Sequence, residues 1–160
     1  MKITVFAVGR MKAGPEKELV DRYFGRFAKS GPAIGLEFAG LVEVPEGRAR
    51  DVAARKHEES GKLRQHLAAD AALILLDERG KSCSSEDFAA RIATLRDAGR
   101  RSLVIAIGGP DGHDPSLHGD AESLLSFGAQ TWPHQMVRIM LGEQLYRAAT
   151  ILSGHPYHRA

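Results

Sequence analysis

The sequence predicts an α/β fold built on a mostly parallel sheet flanked by helices, and three observations carry that prediction. Leu103 to Ile107 is an unbroken apolar run rich in β-branched residues, stopped by Gly108-Gly109-Pro110; such a run reads as a strand buried on both faces. Runs at Lys2–Val8 and Ala71–Leu76 are separated from it by segments of helical period, and strands that alternate with helices pair in parallel. The glycines cluster after the Leu103–Ile107 strand rather than after the first one. Open α/β sheets place their ligands outside the carboxyl ends of strands, and a backbone without Cβ atoms turns sharply and approaches a ligand closely.

The elements follow in order. Lys2–Val8 alternates weakly, is partly β-branched and stops at Gly9, as an opening strand does. Pro15 suits the first turn of a helix, where its missing N–H is harmless. Leu19, Val20, Tyr23, Phe24 and Phe27 then recur on one face, the pattern of core packing. Ser30-Gly31-Pro32 ends this helix, and Leu36–Val44 is a second strand interrupted at Ala39-Gly40. Pro45–Arg48 is a loop. Ala49–Ala69 is a polar helix whose His57, Glu58, Glu59 and His66 read as a solvated face, since the i,i+4 histidine pair of a zinc helix is missing.

Ala71–Leu76 is the third strand, closed by Asp77-Glu78-Arg79-Gly80. Ser84 with Asp87 three residues on resembles a capping box. The helix it opens carries Phe88, Ile92 and Leu95 on one face and ends at Gly99. After the Leu103–Ile107 strand come a polar loop, Asp111–Asp120, and a short apolar run, Leu124–Phe127. Pro133 opens the last long helix, apolar at Met136, Val137, Met140, Leu141, Leu145, Ala148, Ala149 and Leu152 and closed by Gly154. Arg138, Glu143 and Arg147 interrupt that apolar pattern, and Glu143 lies one turn from Arg147, the spacing of a salt bridge.

Composition narrows the function. The 160 residues suit a single domain, 1–160, with a substantial core. A net charge of +2 and a sequence pI near 8.8 permit RNA as a partner without arguing for it. The lone cysteine, Cys83, excludes an internal disulfide framework, fits a reducing compartment and reads as incidental in its polar surroundings. No stretch approaches a membrane span and the start lacks a secretory pattern, so no membrane partner and a cytoplasmic location are expected. The position after the first strand holds G-R-M-K-A-G, which lacks the second glycine of a dinucleotide fingerprint. A phosphate loop and a serine nucleophile elbow are both missing.

Four stretches in the final third carry a more specific signal: I-G-G-P-D-G at 107–112, T-W-P-H-Q-M-V-R at 131–138, E-Q-L-Y-R-A at 143–148 and H-P-Y-H-R at 155–159. With the opening A-V-G and the L-L-D-x-x-G-K-x-x-S-S-E-x-F-A stretch at 75–89, they resemble the ribosomal RNA large subunit methyltransferase H family over essentially the whole chain. That family is a small member of the SPOUT class of S-adenosylmethionine-dependent methyltransferases. The resemblance implies a SPOUT-type fold with a C-terminal trefoil knot, an obligate homodimer and S-adenosyl-L-methionine as cofactor. It also implies methylation of N3 of a pseudouridine in 23S rRNA on the assembled ribosome. The cofactor residues it implies are Leu76, Gly108, Gly109 and the loop Phe127, Gly128, Ala129, Gln130, Thr131 and Trp132, where A-Q-T-W stands in place of a Met-Thr-Phe type sequence. It places the tail, with Tyr157, His158 and Arg159, by the active site.

Within that resemblance the chemistry assigns roles. The N3–H of a pseudouridine is a weak acid, and His158 is the candidate base because histidine titrates near the working pH. Arg159 or Arg138 is the candidate for stabilising the uracil anion or binding phosphate, and Tyr157 for stacking on a base. Three alternatives stay open on the sequence: a related enzyme acting on another RNA position or on a tRNA, a ribosome-binding protein that has lost methyl transfer, and a generic nucleotide-binding α/β protein.

Overall fold

In the computed structural model, which describes residues 1–158, the apolar runs become β1 (Lys2–Val8), β2 (Glu37–Val44), β3 (Ala72–Lys81), β4 (Ser102–Ile107) and β5 (Ser123–Leu125). They form one sheet in the order β2-β1-β4-β3-β5, with every neighbouring pair parallel. The helices are α1 (Pro15–Ser30), α2 (Val52–Arg64), α3 (Ser85–Asp97) and α4 (His134–Leu152), with short 3₁₀ turns at Gly31–Ile34 and Pro115–Leu117.

Alternation along each strand sorts the core into two layers. Ile3, Val5, Ala7, Leu103, Ile105, Ile107, Ile74 and Leu76 face α1, α3 and α4, meeting Phe24, Phe27, Phe88, Ile92, Leu141 and Leu145. The opposite face, with Phe6, Leu73, Leu75 and Val104, is covered more thinly by Leu63 of α2 and Leu117. Both faces of β4 are therefore buried, which is why its sequence has no polar break.

Several boundaries differ from the sequence reading, each for a tertiary reason. The break expected at Ala39-Gly40 is a register shift: Ile3 pairs with Phe38 and Thr4 with Gly40, so Ala39 is the extra residue. The second helix is shorter than 49–69, because Asp51 caps it by accepting from Ala54 N at 2.9 Å. Its face is not simply solvated. Glu59 is buried and accepts from Gly47 N, and the His66 ring tilts against Phe6 with centroids 5.7 Å apart. Met136, expected on the apolar face of the last helix, is exposed, as is Trp132.

The third strand runs past Leu76 to Lys81, and its end is unusual. Leu125 pairs with both Leu76 and Lys81, with the register broken between them. Ser126 N donates to Lys81 O at 3.2 Å. Residues 77–81 thus wrap round the end of β5. A Cβ at Gly80 would stand 2.6 Å from the carbonyl carbon of Leu125, so this wrap closes only on glycine.

Candidate functional site

The strands β4, β3 and β5 all run the same way, and Ile107 and Leu125 at the ends of β4 and β5, with Leu76 at the end of the apolar part of β3, line the floor of an open cleft of about 240 Å³. Residues 77–79, 108–113, 126–128 and 130–132 and the first turn of α4 form its walls. Leu76, Ile107, Leu125, Phe127, Trp132 and Val137 make part of it apolar, while Asp77, Glu78, Arg79, Lys56, His113, His118 and His134 bring polar groups to the rim.

Each wall is held from behind. Gly112 N donates to Gly109 O at 2.9 Å, which closes the Pro110-Asp111 turn. A Cβ at Gly109 would lie 2.8 Å from Glu59 Oε2 and 3.1 Å from Val8 Cγ1, so only glycine lets this turn press against α2 and β1. Asp111 accepts from Arg55 Nε at 2.8 Å, and that hydrogen bond holds its carboxyl below the usual range. In the 126–132 loop, Ser126 Oγ donates to Gly128 O at 2.8 Å and accepts from Gly128 N at 3.2 Å.

Three histidines line the cleft. His113 is 8% exposed, and its Nε2–H donates to Leu76 O at 3.0 Å, joining the end of β3 to the glycine turn. Burial pushes its pKa down, so the ring is neutral near neutral pH. His134 is half-buried at the start of α4; burial, reinforced by the Arg138 cation, likewise pushes its pKa down. His118 Nε2 lies 3.7 Å from Asp77 Oδ2 and has no hydrogen-bond partner among the described residues. Asp77 Oδ1 accepts from Arg79 N at 2.8 Å.

Of the residues assigned from the sequence to the cofactor, Leu76, Gly108, Gly109, Phe127, Gly128, Gln130, Thr131 and Trp132 meet in this one cleft. Ala129 is not among its lining residues. Arg138, assigned from the sequence to the uracil anion or a phosphate, does not line it either. It is 2% exposed; Nη1 donates to Glu43 Oε1, and Nη2 donates to Val8 O and Gly9 O, each at 2.8 Å. The helix period turns Arg138 inward over the carboxyl end of β1, where its planar fork satisfies two strand-end carbonyls and a carboxylate at once.

The tail folds back along α4, away from the cleft of its own chain. The Tyr157 ring packs tilted at 56° against Tyr146 with centroids 4.7 Å apart, Arg147 lies over its ring at 5.0 Å, and its hydroxyl donates to Glu143 Oε1 at 3.1 Å. Glu143 is nine residues along α4 from His134, about 14 Å at the helical rise. His158 Nε2 donates to Glu86 Oε1 at 2.7 Å, and its Nδ1 accepts from Arg147 Nη1 at 3.3 Å, so both ring nitrogens are engaged in this conformation. Arg159 lies outside the described residues.

Sequence reasoning did not single out Asp77, His113 or His118. The available signal was positional: Asp77 directly follows the apolar part of β3, and His113 directly follows the glycine turn, both at carboxyl strand ends.

A family model described as "Predicted SPOUT methyltransferase" matches residues 1–158. A protein of Mesorhizobium japonicum named Ribosomal RNA large subunit methyltransferase H is 68% identical over 160 residues, covering all of both chains. Proteins of the same name from Brucella anthropi and Rhizobium meliloti are each 61% identical over 160 residues, again across all of both chains. A looser likeness, with a TM-score of 0.41 at 16% identity, covers 96% of this chain and 61% of the SpoU methyltransferase AviRb from Streptomyces viridochromogenes.

Proposed function

This chain belongs to the SPOUT methyltransferases, and within them to the ribosomal RNA large subunit methyltransferase H family, and from that premise we propose that it is an rRNA methyltransferase. Its substrate in this reading is N3 of a pseudouridine in 23S rRNA on the assembled ribosome. The observation that carries the reading is the convergence of Leu76, Gly108, Gly109 and five residues of the 127–132 loop on one cleft at the carboxyl end of the sheet.

The residues present fit S-adenosylmethionine. Leu76, Ile107, Leu125 and Phe127 offer apolar walls to an adenine ring, the glycine-rich backbone at 108–109 and 128 leaves room for close approach, and Asp77 and Glu78 are acidic partners for a cationic ligand. When bound, the cofactor supplies an electrophilic sulfonium methyl. The protein's part is to hold the target nitrogen in line and to manage its proton. His134, half-buried and neutral in the cleft wall, is placed to accept a proton there.

Tyr157 and His158 lie along α4 rather than in their own chain's cleft, so their catalytic roles belong to a homodimer in which the tail of one copy serves the cleft of the other. The wrap of residues 77–81 round the end of β5 supports the trefoil knot that the resemblance implies. Among the described residues no helix is long and apolar enough to cross a membrane.

The test is methyl transfer from labelled S-adenosylmethionine to assembled ribosomes and to free rRNA, with the modified base mapped. Label at a large-subunit pseudouridine in ribosomes alone is the expected result; label at another RNA position, or none despite cofactor binding, overturns the substrate. Sharing of the site is read by mixing a Gly109→Arg variant with a His158→Ala variant, each inactive by itself. Random exchange makes half the dimers mixed with one intact site each, so about a quarter of wild-type activity returns; no recovery refutes the shared site.

A further inference from the structure

Two loops beside the cleft are fixed from inside the molecule while their cations point outward. The first follows β2. Gly47 N donates to Glu59 Oε1 at 2.8 Å and Arg48 N to Glu58 Oε2 at 3.0 Å. Lys62 Nζ donates to Pro45 O at 2.8 Å, and Arg55 Nη1 to Ala49 O and Arg50 O at 3.1 and 2.9 Å. The second loop follows β1: Gly9 N donates to Val44 O, Gly9 O accepts from Arg138, and Met11 N donates to Glu43 Oε1 at 3.0 Å. Because β1 and β2 pair in parallel up to Val8 and Val44, the loops emerge side by side at the same end of the sheet as the cleft.

Surface loops are ordinarily mobile and held by little. Here the backbone of both is stapled by side chains of α2, α4 and β2, and the side chains left over are Arg10, Lys12, Arg48 and Arg50. All four are exposed, and none has an ion-pair or hydrogen-bond partner for its charged group among the described residues. The nearby carboxylates are engaged, Asp51 and Glu58 at the surface and the others partly or fully buried: Glu43 meets Arg138 and Met11 N, Glu58 and Glu59 meet loop amides, Asp51 caps α2, and Asp111 meets Arg55. Of the carboxylates on the two loops, Glu46 has no hydrogen-bond partner among the described residues. With a net charge of only +2 for the whole chain, placement rather than amount makes this strip basic.

We propose that Arg10, Lys12, Arg48 and Arg50 form a preorganised strip that binds consecutive phosphates of the RNA backbone while the target base enters the cleft; the assignment rests on the rRNA reading above. Guanidinium forks suit phosphate oxygens, and a loop already held in shape loses little entropy on binding. Arg55 joins the two sites physically. Its Nη1 holds the backbone of the strip and its Nε holds Asp111, which lines the cleft.

The experiment compares wild type with Arg48→Gln/Arg50→Gln and Arg10→Gln/Lys12→Gln pairs, using ribosomes and protein-free rRNA across a salt series. Each lost phosphate contact lowers the slope of log affinity against log salt by roughly 0.7 to 0.9, so each pair should lose about 1.5 and raise the KM for ribosomes on the order of 10-fold at low salt. Affinity for S-adenosylmethionine and the urea midpoint should not move. A Lys2→Gln/Arg101→Gln pair, at the amino end of the sheet, should behave as wild type. Unchanged slope and KM in both strip pairs, with wild type active on ribosomes, overturns the strip and leaves the rRNA reading standing. A wild type that neither methylates nor binds rRNA overturns both. A loss on ribosomes with no change on protein-free rRNA overturns the phosphate assignment in favour of an acidic ribosomal protein.

Discussion

Replacing Arg138 by methionine separates a structural role from a catalytic one. The guanidinium donates to Glu43 Oε1, Val8 O and Gly9 O, all at 2.8 Å, and the residue is 2% exposed. Hydrogen bonds from a charged donor contribute about 1.5–3 kcal/mol each before the cost of burying the charge is set against them. Removing one member of a buried ion pair while its partner stays behind costs about 3–5 kcal/mol net. Methionine matches the stem in length, so little of the loss comes from packing. For a chain of this size that corresponds to a fall in Tm of roughly 10 °C. The assay is urea unfolding at fixed protein concentration, with Glu43→Gln and the double variant completing a cycle. Because both single changes break one interaction, the double variant should lose clearly less than their sum. A variant that unfolds within about 1 kcal/mol of wild type yet has lost methyl transfer and kept cofactor affinity would refute the reasoning. It would return Arg138 to the reacting groups.

Gly109→Ala forces a Cβ to within 2.8 Å of Glu59 Oε2; the expected result is a loss of about 1–3 kcal/mol in stability or cofactor affinity, partly recovered by adding Glu59→Ala, with calorimetric titration as the readout. His113 has a folded-state pKa below the 6.5 of a free histidine, so as pH falls the unfolded chain takes up the proton first. The stability that neutral His113 contributes is complete above about 6.5 and lost as pH falls from there toward the folded pKa. Between about pH 7.5 and about pH 5.5, the urea midpoint of wild type should therefore drop further than that of His113→Gln; equal drops would show that another group carries the dependence.

The strands of the core were legible in the sequence because local patterning reports burial directly. Leu103–Ile107 could be read as buried on both faces without knowing its neighbours. Pro15 at the first turn of α1 and Ser84, which accepts from Asp87 N at 3.0 Å, were legible because the partner lies within one turn. Even the flaw in β2 showed, since Ala39-Gly40 breaks the alternation where the register shifts. The glycines after β4 marked the cleft, because a close backbone approach has a compositional cost that only one residue type meets.

Arg138 was not legible. An arginine in an apolar helix pattern reads equally as a surface interruption or a reacting group, and its partners lie about 95 and 130 positions away in the chain. The same holds for the tail: Tyr157 and His158 read as one functional cluster, but their contacts are Glu143, Arg147 and Glu86, and no local rule selects those. By itself the sequence determined the α/β alternation, the glycine turn at the end of β4 and the family to which the motifs belong, all properties of residues near one another in the chain. Only the tertiary structure decided the strand order, the wrap of 77–81 round β5, the burial of Arg138 and the outward set of Arg10, Lys12, Arg48 and Arg50. Each of these depends on which distant backbone groups and charges a side chain meets when the parallel strands are brought side by side.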